Sequence, residues 1–221
     1  MAENKETIAI LGGTGDLGTG LAIRWSKAGY RIVIGSRTLE KAQAAVAALK
    51  EISPETPADA MENLDASAAG DIVVLTVPAE HQISTLNYVK ANLEGKILID
   101  VTVPLVPPKV GTVQLPPEGS AGKRAQDFLG DGVMVVTAYQ NIAAHLLQQD
   151  VAIECDVLVC GNKKDAREKV IQLSEEAGMV GWHAGPINNS AAAEALTSIL
   201  IQINRSGKVS HSGIKIIGQE H

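Results

Sequence analysis

Short apolar runs alternate along this chain with longer stretches in which apolar residues recur every three or four positions. Thr7-Ile8-Ala9-Ile10-Leu11 is the first run, fit for a parallel strand buried on both faces. Leu17, Leu21, Ala22, Trp25 and Ala28 then fall on one helical face, and Gly29 follows where a left-handed cap belongs. Arg31 to Ile34 reads as the second strand, Thr38 to Lys50 as a second helix and Ala58 to Met61 as a short strand. Asn63 to Gly70 reads as a brief helix, and Asp71 to Thr76, Lys96 to Asp100, Val133 to Val136 and Asp156 to Val159 as further strands. Strands alternating with helical segments predict an α/β fold: a doubly wound, mainly parallel sheet of the Rossmann kind.

Two segments break this rhythm. Val103 to Gly119 holds Pro104, Pro107, Pro108, Pro116 and Pro117 with little periodicity, and it leaves the carboxyl end of a strand, where ligands of open α/β sheets bind. We read it as a lid or wall of a second ligand's pocket. The other segment is the tail. Ala184-Gly185-Pro186 turns the chain, Asn189 or Ser190 is placed to cap a helix through Arg205, and Gly213 to Ile217 reads as a short strand or extended arm. Ala191, Ala195, Leu196, Ile199, Leu200 and Ile203 give that helix a broad apolar stripe. One helix and an arm bury too little to stand alone, so the expected division is a dinucleotide-binding domain at 1–183 and a small helix-plus-arm subdomain at 184–221 that packs on the sheet or on a second subunit.

The chemistry begins where the first strand breaks into glycines. Gly13, Gly15 and Gly18 have the G-x-G-x-x-G spacing of a dinucleotide-binding turn, with Thr14, Asp16 and Leu17 between them. The glycines allow a tight turn, approach of backbone to a pyrophosphate and close helix packing, and the helix turns its free N–H groups toward that pyrophosphate. An NAD site places an acid after the second strand to hold the ribose hydroxyls. Here the chain reads Gly35-Ser36-Arg37, with Lys41 in the next helical turn and no acid before Glu40. A hydroxyl, a guanidinium and an ammonium suit a 2′-phosphate, so the expected cofactor is NADP(H).

Composition narrows the rest. A formal charge of −6 argues against a nucleic-acid partner. No apolar run is long enough to span a membrane, and no signal segment precedes the first strand, so a cytoplasmic setting is expected. The two cysteines, Cys155 and Cys160, stand an odd number of positions apart, which puts them on opposite faces of a strand as packing residues, with no bridge and no metal.

Taken in order, Leu11 to Gly18, Gly35-Ser36-Arg37, Val74 to Pro78, Pro104 to Pro107, Asp156 to Gly161, Ala184 to Pro186, Leu196-Thr197 and Gly213 to Lys215 resemble the NADPH:coenzyme F420 oxidoreductases over essentially the whole chain. The resemblance implies hydride transfer between NADP(H) and a deazaflavin, coenzyme F420. It puts Thr14 to Leu17 on the pyrophosphate, Ser36, Arg37 and Lys41 on the 2′-phosphate, and Val77, His81 and Ala144 around the nicotinamide half. It lays the deazaflavin against Pro104 and Val106, the turn of Gln140, Asn141 and Ile142, and Ser212 and Gly213 of the arm. It also implies a homodimer. Gln140 stands in a stretch where family members often carry histidine; unlike histidine, an amide does not titrate near neutrality.

Hydride transfer needs positioning and exclusion of water, and no catalytic acid, base or metal is expected. Gln140, Asn141 and backbone N–H groups are expected to meet charge that gathers on the acceptor ring. Lys109, Lys123, Arg124, Lys208 and Lys215 are candidates for the acceptor's anionic tail. Two alternatives remain open at this point: an NADP-dependent reductase of a small imine or keto metabolite, and a non-catalytic NADP-binding sensor or partner subunit. The first usually builds its site from a large helical C-terminal domain, for which only one convincing helix is left here.

Overall fold

A computed structural model describes residues 5–149 and 151–218, so the outermost residues of both expected segments, 1–4 and 219–221, lie outside the described residues. The order is β1 (Thr7–Leu11), α1 (Asp16–Lys27), β2 (Arg31–Ser36), α2 (Leu39–Ile52), β3 (Ala58–Glu62), α3 (Asn63–Ala69), β4 (Ile72–Leu75) and α4 (Gln82–Val89). It continues with β5 (Ile97–Asp100), α5 (Ala121–Leu129), β6 (Met134–Thr137), α6 (Ala144–Leu147), β7 (Asp156–Gly161), α7 (Lys164–Glu176), β8 (Val180–Gly185) and α8 (Ser190–Arg205).

The strands form one sheet in the order β3-β2-β1-β4-β5-β6-β7-β8, parallel except where β6 meets β7. Its first six strands have the doubly wound dinucleotide-binding order, with the chain reversing direction across the sheet between β1 and β4. Ile8, Ile10, Ile32, Ile34, Ile72 and Val74 point into one layer with Leu21, Trp25 and Tyr139, while Ala9, Leu11, Val33, Val73 and Leu75 point into the other with Leu86 and Leu98. Apolar residues on both faces are what unbroken runs such as Ile72 to Leu75 require, because helices cover both sides of a parallel sheet.

Gly29 ends α1 in the left-handed region at φ 92°. Residues 101–120 contain no helix or strand, and the Pro107–Pro108 peptide in that segment is cis. Three readings need correction. Asn189 does not cap α8 through its side chain, which donates instead to the carbonyl of Ala184 at 2.7 Å. Ala184 and Gly185 finish an eighth strand before the chain turns at Pro186, so the expected boundary at 183/184 falls inside β8. Two helices, α7 and α8, follow β7 rather than one.

The segment at Gly213 to Ile217 is an extended arm outside the ladder. Its Ile214 carbonyl accepts from the N–H of Asp156 at 2.9 Å, and its Ile216 N–H donates to the Asp156 carboxylate at 2.7 Å. The antiparallel seam between β6 and β7 consists of the pairs Val136 with Gly161 and Thr137 with Cys160. The rest of β7, from Asp156 to Val159, therefore runs past the carboxyl end of β6 and carries the arm with it. Cys155 and Cys160 are buried free thiols, and burial pushes both upward in pKa.

Candidate functional site

β1 ends in a turn whose left-handed residue is Gly12, at φ 72°, one position before the expected motif. The Gly12 N–H donates to the Gly35 carbonyl at 3.0 Å, which ties the turn to the end of β2. A Cβ on Gly12 would lie 2.5 Å from Val77 Cγ1, so a side chain is excluded by space as well as by φ. Gly18 does what the spacing predicts: its Cβ would fall 2.8 Å from Gly13 Cα, backbone against backbone. Gly15, at the mouth of α1, has no protein atom within 4 Å of where its Cβ would sit. That open space above a helix N-terminus is room for a pyrophosphate, and the glycine leaves it clear.

From this turn a cleft of about 270 Å³ runs along the carboxyl edge of the sheet, lined by Gly12, Thr14, Ser36, Arg37, Lys41, Asn63, Val77, Pro78, His81, Ser84 and Thr85. It brings together six of the expected NADP residues: Thr14, Ser36, Arg37, Lys41, Val77 and His81. Ser36 is buried at the end of β2, while Arg37 and Lys41 are exposed. The Thr38 side chain accepts from the Lys41 N–H at 3.4 Å, fixing the turn that presents the ammonium. Among the described residues Arg37 and Lys41 have no ion-pair partner, and beside the Ser36 hydroxyl they form a donor set suited to a dianion. Gly13, Asp16, Leu17 and Gly18 shape the turn and the start of α1 rather than lining the cleft. Ala144 lies apart from it as well: α6 packs on α1, where a Cβ on Gly20 would meet the Ala144 carbonyl at 3.3 Å and Leu147 Cβ at 2.4 Å.

The expected acceptor residues separate into two hollows. Pro104 and Val106 line one with Ala79, Glu80, Leu105, Pro107, Gln114, Leu115, Pro116 and Arg124. Gln140, Asn141, Ile142 and Ser212 line the other with Ala143, His145, Thr197, Leu200, Asn204 and His211. Gly213 is packed onto Cys155, whose Sγ would lie 2.4 Å from an added Cβ. The amide of Gln140 donates to the Asp100 carbonyl at 3.0 Å, and that of Asn141 donates to the Ala193 carbonyl at 2.9 Å. These bonds tie the end of β6 to β5 on one side and to α8 on the other.

Behind the site lies a buried polar network that the sequence did not disclose. Asp100, fully buried at the end of β5, accepts from Gln82 and from the N–H and hydroxyl of Thr102. Burial raises its pKa against those bonds. Arg124 donates to the Gln82 side-chain carbonyl at 2.8 Å and to the Ala79 carbonyl at 3.1 Å, so it braces the start of α4 while facing the Pro104 hollow. Of the other candidate cations, Lys123 is paired with Asp127.

The sequence reading also missed Gly12, Asn63, Ser84 and Thr85 in the cleft wall. Gly12 was visible as the first of two adjacent glycines. The others depend on the register of β3 and the placement of α4, which no local pattern gives.

Gly18→Ala provides a direct test of the turn. The clash is with backbone, so the turn or the helix must move, and NADP affinity is expected to fall about tenfold with a loss of about 1–3 kcal/mol in stability. Calorimetric titration with NADP and a thermal melt of the variant check both; unchanged affinity would remove the turn from the cofactor site.

Comparison with known proteins identifies the family. The family model for NADP oxidoreductase, coenzyme F420-dependent, matches residues 7–104. Over 96% of its length the chain is 39% identical to the F420-dependent NADP reductase of Methanocaldococcus jannaschii, covering 99% of that protein. A solved structure described as an F420-dependent NADP-reductase from Arthrobacter sp. FB24 has a TM-score of 0.84 and 25% identity, covering 97% of this chain and 100% of the other. A pyrroline-5-carboxylate reductase from Coxiella burnetii is similar in fold alone, with a TM-score of 0.61 at 17% identity, covering 93% of this chain and 71% of the other. Relatedness along nearly the full length, together with a dinucleotide turn and a cationic end to β2, leads to one conclusion: the chain belongs to the family of F420-dependent NADP reductases.

Proposed function

We propose that this protein is an oxidoreductase that passes a hydride between NADP(H) and coenzyme F420. The observation that carries the NADP half is the cleft in which Ser36, Arg37 and Lys41 face Thr14 and the open space above Gly15. The residues present fit the cofactor: cations for its 2′-phosphate, a helix N-terminus for its pyrophosphate, and Val77, Pro78 and His81 toward the nicotinamide half. The bound rings supply the chemistry, one giving a hydride and the other accepting it.

The protein's share is alignment and exclusion of water. Val77 and Pro78 hold one wall of the cleft, and the cis-proline segment at Pro104 to Pro107 stands beside it. The acceptor's ring is assigned to the region between Pro104, Val106 and the Gln140–Ile142 turn. Its anionic tail is assigned to Arg124, which lines the Pro104 hollow and is held in place through Gln82. Backbone N–H groups and the second N–H of the Gln140 amide answer charge on the acceptor ring, whereas both N–H groups of the Asn141 amide are taken by Ala193 and Thr197.

We further assign the exposed apolar residues Ile199 and Ile203 of α8, with Val209, Ile216 and Ile217 after it, to contact with a second copy of the chain. Among the described residues no helix is long and apolar enough to cross a membrane. Buried free thiols suit a reducing compartment, and the cytoplasm is the proposed setting.

The test of the main reading is to mix the purified protein with NADPH and coenzyme F420 and follow the visible absorbance of the deazaflavin. Rapid bleaching with NADPH, and much slower bleaching with NADH, is the expected result. Tight NADPH binding without bleaching would redirect the search to imine and keto acceptors.

A further inference from the structure

Asp156 opens β7 and is 3% exposed, yet it carries a carboxylate. Burying such a group is costly unless donors reach it. Two do, and both end on the same oxygen, Oδ2. One is the Trp182 indole N–H of β8 at 2.9 Å, and the other is the Ile216 N–H of the arm at 2.7 Å. The backbone of Asp156 holds the arm as well, its N–H donating to the Ile214 carbonyl at 2.9 Å. One residue of β7 thus takes two polar groups of a segment that belongs to no strand ladder.

Upstream of these bonds the arm builds a wall. Gly213 is pressed onto Cys155, and the Ser212 N–H donates to the Asn204 side chain at 3.0 Å. His211 is held at φ 58°, a left-handed conformation that a residue other than glycine keeps only when its surroundings fix it. Its ring lies against that of His145, with centroids 3.7 Å apart. His211 and Ser212 close a hollow of about 190 Å³ whose other sides are the Gln140 turn and α8. Past Asp156 the chain is open to solvent, with Ile217 92% exposed. The wall is therefore strung between two anchors, the end of α8 and Asp156.

We propose that Asp156 is a positioning residue for the hydride acceptor: its carboxylate latches the arm, and the latched arm holds Ser212 and His211 in the wall of the hollow at the Gln140 turn. The inference rests on the assignment of that hollow to the acceptor. Because both donors share one oxygen, the latch needs an acceptor atom and not a charge, so asparagine is expected to replace the aspartate.

The experiment compares wild type with Asp156→Ala, Asp156→Asn and Ile216→Pro, the last of which removes the arm's N–H and leaves β7 untouched. Steady-state kinetics with NADPH and coenzyme F420 are paired with hydrogen exchange of the amides at 212–215, and thermal melts show that either loss variant, if folded, suffices. Asp156→Ala and Ile216→Pro are expected to speed that exchange at least tenfold and to raise the KM for F420 about tenfold, because the binding-competent state is then populated only in part. Their kcat and their KM for NADPH are expected to hold at wild-type values, and Asp156→Asn to stay within about threefold of wild type throughout. Unchanged exchange in a folded loss variant overturns the proposal, as does faster exchange with an unchanged KM for F420. A KM for NADPH that rises alongside, or an asparagine variant as impaired as the alanine one, overturns it too. Wild type that does not reduce F420 rejects the proposed function instead, and the exchange rates alone then uphold or overturn the latch.

Discussion

Replacing Arg37 with alanine is expected to weaken NADPH binding about a hundredfold while leaving NADH binding where it was. A charge-assisted hydrogen bond contributes roughly 1.5–3 kcal/mol, and a guanidinium that grips a phosphate by two N–H groups reaches about 3 kcal/mol, which is that factor. The residue is exposed, so its removal leaves the fold intact and the loss reports on the ligand. Ser36 and Lys41 still face the 2′-phosphate, which keeps residual binding measurable. Dissociation constants for NADPH and NADH, taken on wild type and variant in one buffer, decide the matter. An equal loss for both cofactors would move Arg37 off the 2′-phosphate.

Glu194→Ala should cost about 3 kcal/mol and lower the melting temperature by about 10 °C at pH 6. Glu194 lies in α8, is 1% exposed, and accepts from the N–H groups of Ala121 at 2.7 Å and Gly122 at 3.0 Å in the first turn of α5. The Ser120 hydroxyl accepts a further N–H of that turn, from Lys123 at 2.9 Å. α5 is therefore capped by its own serine and by a carboxyl borrowed from a helix more than seventy residues away. Without the carboxyl, two N–H groups are left unpaired inside the protein.

Glu194 also carries a pH signature. Burial pushes its carboxyl up from 4.5 to about 7, against the pull of the Gly122 and Ala121 N–H groups. The folded state thus holds a proton that the unfolded chain releases, and the contribution of Glu194 to stability is greatest below about pH 4.5 and falls as pH rises toward 7. The loss amounts to roughly 3 kcal/mol. Asp100, also raised by burial, adds to the same slope. Urea melts across this range should show the decline in wild type and a flatter line in Glu194→Gln; equal slopes would mean that Glu194 is ionised throughout.

The parallel half of the sheet was legible because its strands are unbroken apolar runs, and the cofactor turn because glycine spacing reports backbone geometry. Gly18 lies against Gly13 as that spacing requires, whereas the left-handed residue is Gly12, which the spacing alone does not single out. α7 and β8 left weaker signals. α7 is studded with charge from Lys164 to Glu176, and β8 is half-exposed at the sheet edge, with neither a clean alternation nor an apolar run. The acceptor side was least legible. Its residues come from β6, the proline segment, α8 and the arm, and their meeting depends on the β6–β7 seam. Whether Gln140 and Asn141 turn outward or inward is likewise settled by distant carbonyls, those of Asp100 and Ala193.

The lining of the nucleotide cleft comes entirely from the span between Gly12 and Thr85, and that of the hollow at the Gln140 turn from the span between Gln140 and Ser212. The two walls share no residue. Substitutions that drift or are selected in the second span can reshape the hollow at the Gln140 turn while the nucleotide half passes unaltered from ancestor to descendant. A lineage built this way inherits its nucleotide and is free to change the partner that nucleotide meets.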